Sequence, residues 1–236
     1  MIFRKRKYTM MRSRLIFSSV LGLVAFAGPG QAGDLHLDKE KRTVTIDCKI
    51  APRKMEDPKF QGIIYPIEVI ACWAYPKGQK AHETVVTIDC KPSEVHKALV
   101  SLGLEPGTPV MGESKLPPQG PEVNVYLQIP GADGKERRVP IEKTLVGEKT
   151  GKPMPKVKWR FTGSVLSKPA ADKDEKVYGA DLTGTLIAIF PVTNETVLQT
   201  SLTMKEEKYL KLETDKKLLP KEGTPVKLIL EVPAGK

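Results

Sequence analysis

The sequence predicts an α+β protein that is mostly β: antiparallel sheet packed with one principal amphipathic helix at about residues 92–102. Two observations predict it. Beyond residue 32, short runs rich in Val, Ile, Thr and aromatic residues alternate with polar neighbours and are punctuated by Gly, Pro, Asn and Asp. Between them, Val95, Ala98, Leu99 and Leu102 recur at i, i+3, i+4 and i+7, the spacing of one apolar helix face.

The chain opens with a leader. Arg4, Lys5, Arg6, Lys7, Arg12 and Arg14 stand with no acidic residue, an apolar stretch follows over 15–27, and Gly28-Pro29-Gly30-Gln31-Ala32 closes it. Basic, apolar and small-residue regions in that order form a cleavable secretory signal over 1–32. The apolar stretch is shorter than the roughly 20 residues that span a bilayer, so no transmembrane anchor is expected after cleavage. Cleavage fits after Ala27 or after Ala32, and Pro29 just before the second triplet favours Ala32. Met10 and Met11 are later starts that would leave the signal complete. The expected product is exported to the periplasm or the medium as a soluble protein.

Removing the leader changes the electrostatics. The formal net charge of +10 falls to about +4, because residues 33–236 carry 32 Lys and Arg against 28 Asp and Glu. These lysines are interleaved with acids, as in Lys205-Glu206-Glu207-Lys208, which marks a solvated surface and no nucleic-acid partner. Residues 33–236 suit a single domain, or two subdomains over 33–114 and 122–236 joined by the Pro-rich segment 115–121.

In chain order, the first strand is expected over 42–48, where Val44, Ile46 and Cys48 alternate with polar residues. Strands over 63–75 and 80–90 flank Pro76-Lys77-Gly78-Gln79 and read as a β-hairpin. That hairpin pairs Trp73 with His82 and Cys72 with Glu83, and puts Val69, Trp73, His82, Val86 and Cys90 on one face. Pro92 opens the helix, Glu94 complements its dipole and Gly103 closes it. Further strands are expected over 122–129, 135–141, 156–165, 177–180, 185–190 and 226–232, with turns at 132–134 and 181–184, the second of type I.

In an exported protein Cys48, Cys72 and Cys90 meet conditions in which disulfides persist. Cys48 and Cys90 end two strands of matching sequence, and a Cys48–Cys90 bridge is the favoured pairing; the alternative is three small buried hydrophobes. A Cys72–His82 dyad is not expected, because the two side chains point to opposite faces and Glu83 would disfavour a thiolate. His36, His82 and His96 lack metal-ligand spacing, so no metal is assigned. The chain has no Gly-x-Ser-x-Gly elbow and no phosphate-cradling glycine loop, so no catalytic residue and no cofactor is assigned.

Several short motifs carry a family resemblance: Ile67-Glu68, Lys80-Ala81-His82-Glu83-Thr84, Lys91-Pro92-Ser93, Phe161-Thr162-Gly163-Ser164 and Tyr178-Gly179-Ala180-Asp181-Leu182-Thr183-Gly184. Together they resemble the exported YdjY-domain proteins over about 34–233. The resemblance implies a periplasmic or secreted protein and no particular reaction. Some such proteins are described as ferredoxin-like, but cysteines at 48, 72 and 90 lack the close spacing of iron–sulfur ligands. Through the most recognisable motif, the resemblance implies a binding role for Lys80, His82 and Glu83, with Glu68 and Trp73 beside them; alternatively the motif fixes the hairpin and its packing. The leading expectation is a non-enzymatic binding or interaction module for an unidentified ligand or protein. The alternative is a periplasmic hydrolase or metal-dependent enzyme using Glu68, Lys80, His82 and Glu83.

Overall fold

The computed structural model describes residues 1–2, 35–131 and 134–234. The expected leader with its two cleavage points, and the first two residues of the turn at 132–134, lie outside the described residues. In chain order these form β1 (Leu35–Asp38), β2 (Thr43–Ile50), β3 (Val69–Trp73), β4 (Thr84–Ile88), α1 (Pro92–Ser101), β5 (Glu122–Pro130), β6 (Glu136–Pro140) and β7 (Leu145–Gly147). Then come β8 (Trp159–Phe161), β9 (Leu166–Ser167), β10 (Val177–Tyr178), α2 (Ala180–Thr183), β11 (Thr185–Ala188), β12 (Leu198–Thr200), α3 (Met204–Leu210), β13 (Leu212–Thr214) and β14 (Pro225–Glu231).

Alternation explains the best-formed wall. Val44, Ile46 and Cys48 of β2 are buried and face Leu230, Leu228 and Val226 of β14, whose Leu228 and Leu230 face Leu127 and Val125 of β5. The residues between them point to the other face, as a period of two requires, and are polar along β2. Eight strands continue this wall into a closed barrel, in the order β2-β14-β5-β8-β12-β11-β3-β4 and back to β2. β1 and β6 extend the same sheet from β2 and β5. Strands from both sides of the Pro-rich segment 115–121 build the barrel.

The expected mainly antiparallel sheet is corrected here to a mixed, closed one. β3–β4 and β11–β12 pair in parallel, and the other six junctions of the ring are antiparallel. The expected hairpin is therefore absent: β3 and β4 run in the same direction, with Val69 opposite Thr84, Ala71 opposite Val86 and Trp73 opposite Ile88. Their connection over 74–83 folds back along the sheet, through a cis Tyr75–Pro76 peptide and a short 3-10 turn at Ala81–Glu83. The physical reason lies in burial. Val69, Ile70, Ala71 and Cys72 are all buried, as are Thr84, Val85 and Val86, and continuous burial on both faces belongs to parallel strands rather than to a hairpin with one wet face.

The helix at about 92–102 is present as α1, with Glu94 accepting from the Lys91 amide and Val95, Ala98 and Leu99 buried. It packs against α2 and β2. The turn expected at 181–184 is instead the short helix α2, ended by Gly184 at φ 72°. The strand expected over 156–165 shortens to β8, after which Gly163 turns the chain at φ 64°.

Candidate functional site

Parallel pairing brings the starts of neighbouring strands together. Glu68 precedes β3 and Glu83 precedes β4, and the Glu68 amide donates to the Glu83 carbonyl at 3.1 Å. Lys80 lies between their side chains, its Nζ 2.7 Å from Glu83 Oε2 and 3.1 Å from Glu68 Oε2. His82 Nε2 stands 3.4 Å from Glu83 Oε1. Four of the five residues expected at the site thus meet, although the expected hairpin, with Cys72 opposite Glu83, would have left Glu68 four residues further along the strand from that pair.

Trp73 does not join them. It stands at the far end of β3, about 16 Å along the strand from Glu68. Its indole N–H donates to the Cys90 carbonyl at 2.7 Å, and its ring packs so closely on Gly184 that a Cβ there would lie 2.7 Å from it.

The cluster is largely withdrawn from water, with 28 % of the Lys80 side chain, 17 % of Glu68 and 11 % of Glu83 exposed. Burial pushes the Glu68 carboxyl up, the Glu83 charge adds to this, and Lys80 only partly offsets them. Burial acts in the same direction on Glu83, but there the hydrogen bonds from His82 and Lys80 prevail and hold it at about 2. Burial opposes the Lys80 charge, yet its bonds to the two carboxylates raise its pKa.

Residues distant in sequence lock this cluster. Arg53 is buried; its Nε donates to Glu213 Oε1 at 2.8 Å, Nη1 to the His82 carbonyl at 3.3 Å and Nη2 to the Tyr65 carbonyl. The His82 ring lies 4.8 Å from both the Phe60 and the Tyr65 ring. Phe60 also meets Tyr75 edge-on at 5.6 Å, and the Tyr75 hydroxyl donates to Asp57. Sequence reasoning missed Arg53 and Glu213, since residues 160 apart leave no local spacing signal. No buried side-chain nitrogen or oxygen among the described residues lacks a hydrogen-bond partner.

This network holds the loop over 52–65 against the barrel and so builds one wall of a groove of about 700 Å³, lined by Lys54, Met55, Glu56, Tyr75, Ala81 and Glu222, among others. At Ala74 and Thr87 it adjoins a second groove of about 590 Å³. The floor of the second is the outer barrel wall. Register sets Thr87, Lys49 and Pro225 in one cross-strand row, and Asp47, Lys227 and Gln128 in the next. Lys227 Nζ bonds Asp47 Oδ1 at 2.7 Å.

A second set of motif residues converges elsewhere. Tyr178 OH lies 2.8 Å from His96 Nδ1 and accepts from the Ser164 amide at 3.2 Å, while Ser164 Oγ accepts from the Ala180 amide at 2.9 Å. The Ser93 amide donates to Asp181 Oδ1 at 2.9 Å. Burial raises the Tyr178 pKa and lowers that of His96, so it favours the uncharged form of both partners. These contacts pin α1 to β10 and α2, and account for the motifs as packing.

The expected Cys48–Cys90 bridge is corrected: Cys48, Cys72 and Cys90 are buried free thiols. Cys48 Sγ instead donates to the Val226 carbonyl at 3.4 Å, and Cys72 Sγ to the Thr183 carbonyl at 3.8 Å. Burial pushes the Cys48 and Cys90 thiols up to about 12, which makes them poor nucleophiles. Among the described residues no three His, Cys, Asp or Glu side chains are grouped to hold a metal ion, and no helix is long and apolar enough to cross a membrane.

No curated protein and no solved structure matches the chain. A family model described as the YdjY domain matches residues 35–231, from the first residue of β1 to the last of β14 and hence the whole barrel. The chain belongs to the YdjY-domain family.

Proposed function

We propose that this chain is an exported, non-enzymatic binding module that takes its ligand in the adjoining grooves on the outer barrel wall. One observation carries the binding role: Lys80 bonds Glu68 and Glu83, Arg53 bonds Glu213 and two backbone carbonyls, and these contacts hold a groove wall. Groups that act on a substrate need free donors or acceptors facing a cleft, whereas these bond to one another and line neither groove. Glu68, Lys80, His82 and Glu83 are then positioning residues, and Met55, Tyr75 and Thr87 face the ligand. Support for export comes from the basic, apolar and small-residue order of residues 1–32.

The hydrolase reading rests on one specific observation. Glu68 and Glu83 share a lysine yet have pKa values pushed in opposite directions, as paired acid and base groups do. A panel of chromogenic esters, phosphate esters and glycosides, assayed with wild type and Glu68→Gln, separates the two. The binding module predicts no turnover that depends on Glu68; turnover lost in Glu68→Gln at an unchanged melting temperature would establish the enzyme. For export, the N-terminal sequence of the secreted product is expected to begin at Gly33, and retention of an uncleaved chain in the cytoplasm would refute it.

A further inference from the structure

Charge is unevenly distributed over this molecule. Residues 33–236 carry more Lys and Arg than Asp and Glu, yet the two adjoining grooves reverse the balance. Asp47, Asp89, Glu136, Glu56, Asp57 and Glu222 line them against Lys49, Lys54 and Lys227, and Lys227 is bonded to Asp47. A concave surface with this excess of one sign concentrates ligands of the other. At one end Met55, Ala81 and Tyr75 form an apolar recess. Tyr75 is 36 % exposed, but Lys59 Nζ stands over its ring at 4.4 Å and Phe60 meets it edge-on, so the ring serves as a wall rather than as an open stacking platform for a sugar.

We infer that the grooves bind an extended basic peptide segment, with an apolar side chain in the Met55–Tyr75 recess and Lys or Arg side chains along the carboxylates. This rests on the binding role proposed above and names its ligand class. The second groove crosses β4, β2, β14 and β5 and continues at Ala74 and Thr87 into the first, an elongated path that an extended chain can follow. The acidic residues supply discrimination: an acidic peptide would meet six carboxylates against three lysines.

The test uses the full mature chain and a fluorescein-labelled octapeptide alternating lysine and leucine. Its counterpart alternating glutamate and leucine, and a glucosamine hexamer, are the comparison probes. Fluorescence anisotropy is expected to show the lysine peptide bound at least about tenfold more tightly than the glutamate peptide. The exposed pair Glu56→Lys with Asp89→Lys should remove that preference, and Tyr75→Ala should weaken binding, with circular dichroism confirming that each variant folds. Equal affinity for both peptides, no binding of the lysine peptide, or variants that bind like wild type would overturn the inference. Binding of the hexamer alone, with amide shifts at Met55, Tyr75 and Thr87, would overturn the peptide assignment and leave the groove standing. Shifts confined to residues outside the grooves would overturn both.

Discussion

Arg53 satisfies two backbone carbonyls and a carboxylate from a buried position, so its removal costs more than its own contacts. Arg53→Ala leaves the Glu213 carboxylate half-buried without its cation, and we predict a loss of about 3 kcal/mol in urea unfolding. Arg53→Lys should recover little of it, because one ammonium cannot reproduce the planar fork. Glu83 and Glu68 make opposite pH predictions. The folded pKa of Glu83 is depressed from 4.5 to about 2, so its contribution is present above pH 4.5 and is lost as pH falls towards 2. The folded pKa of Glu68 is raised, so its contribution is greatest below its ordinary value and declines as pH rises through the folded one. Urea midpoints measured across this range should show Glu83→Gln flattening the acid-side loss. At neutral pH Glu83→Gln should cost more than Glu68→Gln, and the reverse order would mean that Lys80 serves Glu68 first.

At the scale of elements, the connection over 74–83 decides how β3 and β4 meet. Gly78 lies against the β3 end so closely that a Cβ would fall 1.9 Å from the Trp73 carbonyl oxygen, a backbone atom that cannot swing away. We predict that Gly78→Ala destabilises the fold by roughly 2 kcal/mol or more through this overlap. Thermal unfolding checks it; a wild-type midpoint would mean that the connection packs differently. The same connection marks where sequence reading stopped. β2, β5 and α1 were legible because each has one buried and one wet face, which writes a period into the sequence. β3 and β4 have no wet face, and Pro76-Lys77-Gly78-Gln79 between two apolar runs then imitates a hairpin turn. Lys80, His82 and Glu83 were legible as a group because they are neighbours in sequence, whereas Glu68 reaches them only through the parallel pairing, since a hairpin would have left it roughly 20 Å along the strand from Lys80. Their lock on Arg53 and Glu213 was not legible, since tertiary structure alone brings those residues together. β7, β9, β12 and β13 are two or three residues long, too short to show any period.

Across the whole molecule, protection from exchange should follow the completeness of strand pairing. β14 is paired along both edges, over seven residues with β2 and five with β5, whereas β9 and β10 share a two-residue ladder outside the barrel. Amide hydrogen exchange is therefore predicted to be slowest in β2, β14 and β5 and fastest in β9 and β10. Uniform protection would contradict this gradient. The β2–β14 junction also imposes an order on synthesis. Cys48 bonds to Val226, its partner 178 residues later, so the first strand of the ring waits for the last before any closed wall exists. A chain delivered N-terminus first must stay open until almost all of it has emerged, with β2 and β5 both exposing the edges that β14 will cover. If the chain is exported as proposed, that delay would keep the barrel from closing before the chain has crossed.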